Sequence, residues 1–199
     1  MVAAAVILRR EPLPVRIDDS KRLTAAQRAR AFNVILKFAA VGIGIACAEE
    51  IDERNILQAS LWAMRRAIDD LPDAPTLVLV DGPFAPAVDI PCRPIIRGDQ
   101  RSYVISCASI VAKVLRDRLM AFYHELYPHY GFTRHKGYGT ALHGARLRRF
   151  GPCLLHRASF APVRQLLQVP IKRTIDDTVA LARPPSCVPD TAETQLLPA

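Results

Sequence analysis

The sequence predicts an α/β protein with a mixed sheet flanked by helices. Three observations lead there. Short apolar runs with strand character, "VAAAVIL", "VGIGIACA" and "TLVLVDG", recur along the first half of the chain. Between and after them lie longer segments whose apolar residues return at helical spacing. Strand, helix, strand, helix and strand in that order make an α/β domain, whose sites gather at the carboxyl ends of strands.

Taken in order, "VAAAVIL" is a strand that begins near the first residue. In "DSKRLTAAQRARAF", Thr24 with Gln27 three residues on has the capping-box spacing of a helix start. Phe32, Ile35, Leu36 and Ala39 continue that helix as one apolar stripe. The two glycines in "VGIGIACA" predict a strand approached closely by another backbone. Ile51 to Leu71 is the next helix, carrying Ile56, Leu57, Leu61, Met64, Ile68 and Leu71 at helical spacing.

"TLVLVDGPFAP" then reads as a short buried strand that ends on Asp81, with Gly82 and Pro83 breaking the chain. "VDIPCRPII" is a strand that its prolines place at an edge. "SYVISCASIVAKVLRDRLMAFYHELY" is a long helix, "GFTRHKGYGT" a glycine-punctuated basic loop, and Leu142 to Phe150 a short basic helix. Residues 1–169 are expected to form one domain. The proline-rich and polar stretch 170–199 is expected to be a disordered tail.

Composition narrows the partners. Twenty-seven lysines and arginines against 19 acidic residues give the 199-residue chain a formal charge of +8, which favours polyanions. Half the residues are apolar, as in a globular protein. The five cysteines form no C-x-x-C pair, which points away from a zinc site or disulfide framework and fits a reducing cytoplasm. No stretch approaches the ~18 apolar residues that a membrane span needs. The scattered histidines, His124 and His129 among them, read as surface or substrate-facing residues. No phosphate loop, nucleophile elbow or nucleotide fingerprint is present.

Chemistry concentrates on a few polar residues. Ser102, Ser106, Ser109, Lys113 and Asp117 are spaced 4, 3, 4 and 4 apart, which puts them on one narrow arc of the long helix. That arc is either a solvent face ending in a Lys113–Asp117 ion pair, or a stripe that turns Asp117 toward Asp81. Two such carboxylates can share hard cations such as magnesium or manganese, although they make an incomplete cage for two ions. In "HKGYGT", Tyr138 can lie against a sugar or base while Lys136 meets phosphate, or the segment is a basic surface turn. "DSK", from Asp19 to Lys21, is open between helix-start chemistry and phosphate contact.

Taken together, "DSKRLT", "EEIDERNILQASLWAMRRAI", "LVDG", "RGDQRSYVISCASIVAKVLRDRLM", "YPHYGFTRHKGYGTALH" and "GPCLLHRASFAPV" resemble ribonuclease HII in order and interval, from the first residues to about Val163. The resemblance implies a ribonuclease H-like fold. It also implies a metal-dependent endonuclease, using Mg2+ or Mn2+, that cuts RNA in RNA–DNA hybrids and beside ribonucleotides embedded in duplex DNA. By motif, Asp81 and Asp117 correspond to the third and fourth acidic ligands. Tyr138 corresponds to the tyrosine that packs on the ribonucleotide sugar, and Ser20 and Lys21 fall in the motif that meets backbone phosphate. Lys136 joins them as a substrate-binding residue. A cytoplasmic monomer with no membrane association is expected.

One departure stands out. The family opens with a strand carrying G-x-DEAGRG, which supplies two further carboxylates and a glycine–arginine–glycine loop, and Met1 falls after it. The resemblance therefore implies a sheet without its first, central strand, which belongs between the "VAAAVIL" and Asp81 strands. Three expectations follow: a working enzyme whose true start lies upstream, a basic duplex-binding protein with half a metal site, or an inert fragment.

Overall fold

The computed structural model describes residues 1–168. The tail expected over 170–199 lies outside the described residues. The chain opens with β1 (Val2–Leu8), α1 (Ala25–Phe38), β2 (Ala39–Ile45) and α2 (Ala48–Asp69). It continues through β3 (Val78–Asp81), β4 (Cys92–Ile95), α3 (Gly98–Arg101) and α4 (Tyr103–Leu126). A 3-10 turn (Pro128–Tyr130), α5 (Phe132–His135), α6 (Ala141–Phe150) and α7 (Ala161–Gln168) complete it.

Both pairing senses of the expected mixed sheet are present, in two separate ladders. β1 and β2 run antiparallel, with Val2 opposite Ile45 and Leu8 opposite Ala39. β3 and β4 run parallel, from Val78 opposite Cys92 to Asp81 opposite Ile95. Among the described residues no strand joins the two ladders, and β1 does not pair with β3. Pro94 sits, as expected, in a strand with a single neighbour, and Pro91 directly precedes that strand.

Local chemistry accounts for the elements. Thr24 caps α1 in a reciprocal box: its hydroxyl accepts the Gln27 N–H at 3.2 Å, while the Gln27 side chain accepts the Thr24 N–H at 2.8 Å. Phe32 and Ile35 are buried on that helix, but Leu36 is half exposed and Ala39 already belongs to β2. The helix ends one residue earlier than the apolar stripe suggests, because the chain turns extended at Ala39 to begin the strand.

The two strand glycines do what their pattern implies. A Cβ added at Gly44 would stand 1.8 Å from the Ala63 carbonyl oxygen, and one at Gly42 would stand 2.1 Å from that of Ala67. α2 therefore lies directly on β2, through a face of small residues: Ala59, Ala63 and Ala67 are buried. Ile56 and Leu57, expected on the apolar stripe, are instead exposed. The reason is a break at Asn55, whose φ of 67° interrupts the helix and whose side chain accepts the N–H groups of Leu57 and Gln58. The register of the helical face changes there.

The main core gathers Leu13, Leu23, Phe32, Ile35, Cys107, Ile110, Val111 and Val114 between α1, α4 and the β1–β2 ladder. A second core holds Tyr130, Phe132, Leu147 and Val163 under the C-terminal helices. α4 is common to both, since Met120 and Tyr123 pack against the second core. No helix among the described residues is long and apolar enough to cross a membrane.

Candidate functional site

The polar stripe of α4 is neither a plain solvent face nor a bare catalytic arc. Its N-terminal half is covered. Ser106 is buried and donates to the Asp99 carbonyl at 2.7 Å. Ser109 faces Ser20 hydroxyl to hydroxyl at 3.0 Å. The 19–21 segment thus packs across α4, and Ser20 is buried in the contact. Its C-terminal half carries the ion pair that spacing allows: Lys113 Nζ lies 2.7 Å from Asp117 Oδ1, with both side chains about a quarter exposed.

Asp19, which the sequence left open within "DSK" between helix-start chemistry and phosphate contact, organises this corner. Its carboxylate accepts the Lys21 N–H at 2.9 Å and the Gln100 side-chain N–H at 3.1 Å. The Lys21 amide, with Gln100 and the nearby Lys21 and Arg22 charges, holds the Asp19 carboxyl below its ordinary range against the opposing effect of burial. The same loop leaves the Lys21 side chain largely exposed, its ammonium 3.5 Å from the carboxylate of buried Asp99. A lysine held by its backbone and loosely paired at its tip is free to meet an external anion.

Asp81 stands at the carboxyl end of β3, exposed, where it was expected. Its Oδ1 accepts the N–H of Gly98 at 2.8 Å. The backbone at Gly98 is closely approached: an added Cβ would stand 2.6 Å from the terminal methyl of Ile105, which would have to move, and in contact with Asp81 at 3.4 Å. Arg97 takes a left-handed φ of 55° to deliver that amide. Asp81 and Asp117 each have a partner of their own, Gly98 and Lys113.

The expected cation was tested against these side chains. Among the described residues no group of three or more histidine, cysteine, aspartate or glutamate side chains is arranged to hold a metal ion. Asp81 and Asp117 alone therefore do not complete a cage.

The "HKGYGT" segment begins on His135, the last residue of α5, and continues as a left-handed turn. Lys136 has φ 50° and Gly137 φ 80°. Tyr138 projects outward, 57% exposed, with the Arg116 guanidinium carbon 4.7 Å from its ring centre and Lys113 Nζ at 6.0 Å. Lys113 and Arg116 of α4 thus meet the tyrosine loop from one helical turn.

Below that loop His135 and His143 depart from the expectation of surface histidines, which exposed His129 fits. His135 and His143 are buried and stack with ring centres 4.3 Å apart. His135 accepts the Gly137 N–H at Nδ1 and donates from Nε2 to the Tyr130 carbonyl. His143 Nδ1 donates to the Tyr138 carbonyl at 2.9 Å, so its Nε2 accepts from His156 Nε2 at 3.0 Å. His156 in turn accepts the Cys153 N–H at Nδ1. Every ring is thereby a neutral tautomer. Burial, and then the neighbouring His143, push the His156 pKa down to about 4. Burial also lowers that of His143. The residues come from three separate segments, which is why spacing along the chain did not reveal them.

Solved structures share this architecture. The crystal structure of ribonuclease H2 from Pyrococcus horikoshii matches with a TM-score of 0.63 at 20% identity, over 83% of this chain and 97% of that one. The ribonuclease HII of the Archaeoglobus fulgidus complex with PCNA matches with a TM-score of 0.62 at 20% identity, over 80% and 86%. The fold is of the ribonuclease H type.

Sequence relatives make the assignment particular. The family model of ribonuclease HII matches residues 1–163. The ribonuclease HII of Azorhizobium caulinodans is 51% identical over 164 residues, 82% of this chain and 63% of that protein. Those of Xanthobacter autotrophicus and Chlamydia abortus are 51% and 49% identical, over 83% of this chain and 66% and 79% of theirs. The chain belongs to the ribonuclease HII family. It spans somewhat less than two thirds of the length of the Azorhizobium and Xanthobacter relatives.

Proposed function

We propose that this chain carries the nucleic-acid face of a ribonuclease of the HII type. Such an enzyme hydrolyses phosphodiesters in the RNA strand of RNA–DNA hybrids and at ribonucleotides embedded in duplex DNA. The observation that carries the reading is the convergence of Ser20 and Lys21, Lys113 and Asp117, and Lys136 and Tyr138 around α4. In this reading Lys21 and Lys136 meet phosphates, buried Ser20 seats the segment that carries Lys21 through its contact with Ser109, and the Tyr138 ring packs on the sugar whose 2′-hydroxyl distinguishes RNA from DNA. Asp81 and Asp117 are the catalytic carboxylates and donors toward a divalent cation, Mg2+ or Mn2+. The setting is the cytoplasm.

A second reading is favoured by the absence, among the described residues, of any third carboxylate grouped with these two. In it the chain holds duplexes without cutting them. Gel-shift and cleavage measurements on one labelled RNA–DNA hybrid, with Mg2+ or Mn2+, separate the two. Salt-sensitive binding followed by cutting is the expected result. Salt-sensitive binding without cutting supports the second reading, and the absence of both overturns each of them.

A further inference from the structure

We infer that Arg116 is the positioning residue for Tyr138, fixing the ring that reads the ribonucleotide sugar; the inference rests on the functional reading above for what the ring does, but not for how it is held. Tyr138 is more than half exposed, and an exposed ring on a glycine-flanked turn has little to restrict its rotamers. Arg116 supplies the restriction twice over. Its guanidinium carbon lies 4.7 Å from the ring centre, within the range of a cation–π contact. Its Nη2 donates to the Lys136 carbonyl at 2.8 Å. That carbonyl belongs to a residue with φ 50°, immediately before Gly137 with φ 80°, so the bond fixes the turn that aims the tyrosine.

Two further features make the role specific to arginine. The guanidinium is planar and carries donors at its edge, so it can lie against a ring and bond sideways to a carbonyl at once; an ammonium cannot do both. Arg116 also directly precedes Asp117 on α4, so the arm that holds the ring is anchored beside the carboxylate. Its Nη1 is buried with no hydrogen-bond partner. A buried donor left open is unfavourable, which fits a side chain placed for its contact with the loop more than for the stability it adds. The histidine stack holds the same loop from beneath, through the Tyr138 carbonyl and the Gly137 amide, and leaves the ring to Arg116 and, at the longer distance of 6.0 Å, to Lys113 Nζ.

The test uses the full chain labelled with 3-fluorotyrosine, which places one fluorine at each of five tyrosines. The Tyr138→Phe variant assigns the signal. In the wild type the Tyr138 resonance is expected away from the free amino-acid position. Arg116→Gln and Arg116→Lys are expected to move that resonance toward it while the other four stay in place. In parallel, affinity for a duplex with one ribonucleotide is compared with that for the same sequence in all-DNA form, without divalent metal. Arg116→Gln is expected to lower this ratio about fivefold, the effect of roughly 1 kcal/mol. Arg116→Gln/Tyr138→Ala should lower it no further than Tyr138→Ala alone. A merely structural arginine would shift several tyrosine signals and weaken both duplexes equally, which overturns the inference. An unmoved Tyr138 resonance in Arg116→Gln overturns it too. Equal affinities for the two duplexes in the wild type, with the resonance still moving in the variants, would count against the functional reading while supporting the positioning.

Discussion

Ser20 Oγ and Ser109 Oγ lie 3.0 Å apart across 89 positions of sequence. The contact seats the 19–21 segment on α4, and with Ser20 buried, neither hydroxyl is readily replaced there by water. Ser109→Ala should therefore cost about 1–3 kcal/mol, because it leaves the Ser20 hydroxyl buried and unpaired. Ser20→Ala/Ser109→Ala together should cost less than the sum of the two single changes. Urea unfolding of the four proteins in a double-mutant cycle measures the coupling. Strict additivity would show that the hydroxyls do not depend on each other.

The contact between β2 and α2 makes a sharper prediction. Gly44→Ala puts a methyl group 1.8 Å from the Ala63 carbonyl oxygen, a backbone atom that can yield only if the helix lifts. A loss of about 3 kcal/mol or more is expected, at the upper end of overpacking. Gly144→Ala is the control. It lies in α6, where the nearest atom is the mobile end of Arg148 at 3.5 Å. That change should stabilise the protein by roughly 0.5–1 kcal/mol, through the entropy of the unfolded chain and helix preference. Chemical denaturation of both variants compares them.

The histidine stack sets a pH dependence. In the unfolded chain a histidine takes up its proton near pH 6.5, whereas folded His156 does so only at about 4. Between those values the unfolded state binds more protons, so stability falls as pH drops. It is full above about 6.5 and declines toward 4. The carboxylates held low in the fold, such as Asp19 and Asp52, lose their contribution only below the ordinary aspartate value of 3.8, outside that window. Melting temperatures between about pH 7 and 5 should thus decline in the wild type, and more gently in His156→Gln. Equal slopes would place the titration elsewhere.

Local signals were the legible ones. The Thr24–Gln27 box and the paired glycines of β2 could be read because each is decided within a few residues or by the absence of a side chain. The polar arc of α4 was visible as spacing, but its spacing could not say what covers it, and the structure gives two answers along one helix: the 19–21 segment over the serines, and an ion pair at Lys113 and Asp117. The role of Asp19 stayed open and those of Asp99 and Gln100 escaped notice, because they depend on a loop and a short helix that meet only in the fold. The exposure of Ile56 and Leu57 follows from one left-handed residue, Asn55, that no periodicity registers. His135, His143 and His156 join only in the fold, through a ring stack and a hydrogen bond.

The central claim is that Asp81, bonded to the Gly98 amide at the end of β3, serves chemistry at a ribonucleotide. The measurement that tests it most directly is cleavage of a DNA duplex containing one ribonucleotide, with Mg2+ or Mn2+, by the wild-type chain and by Asp81→Asn. The substitution keeps the size of the side chain and an acceptor for Gly98, so folding should be little changed. The account predicts a single cut at the ribonucleotide by the wild type and a rate at least about 100-fold lower in the variant, in keeping with loss of a group that acts on the transition state. Cleavage by Asp81→Asn at the wild-type rate, or no cut by the wild type, would contradict it.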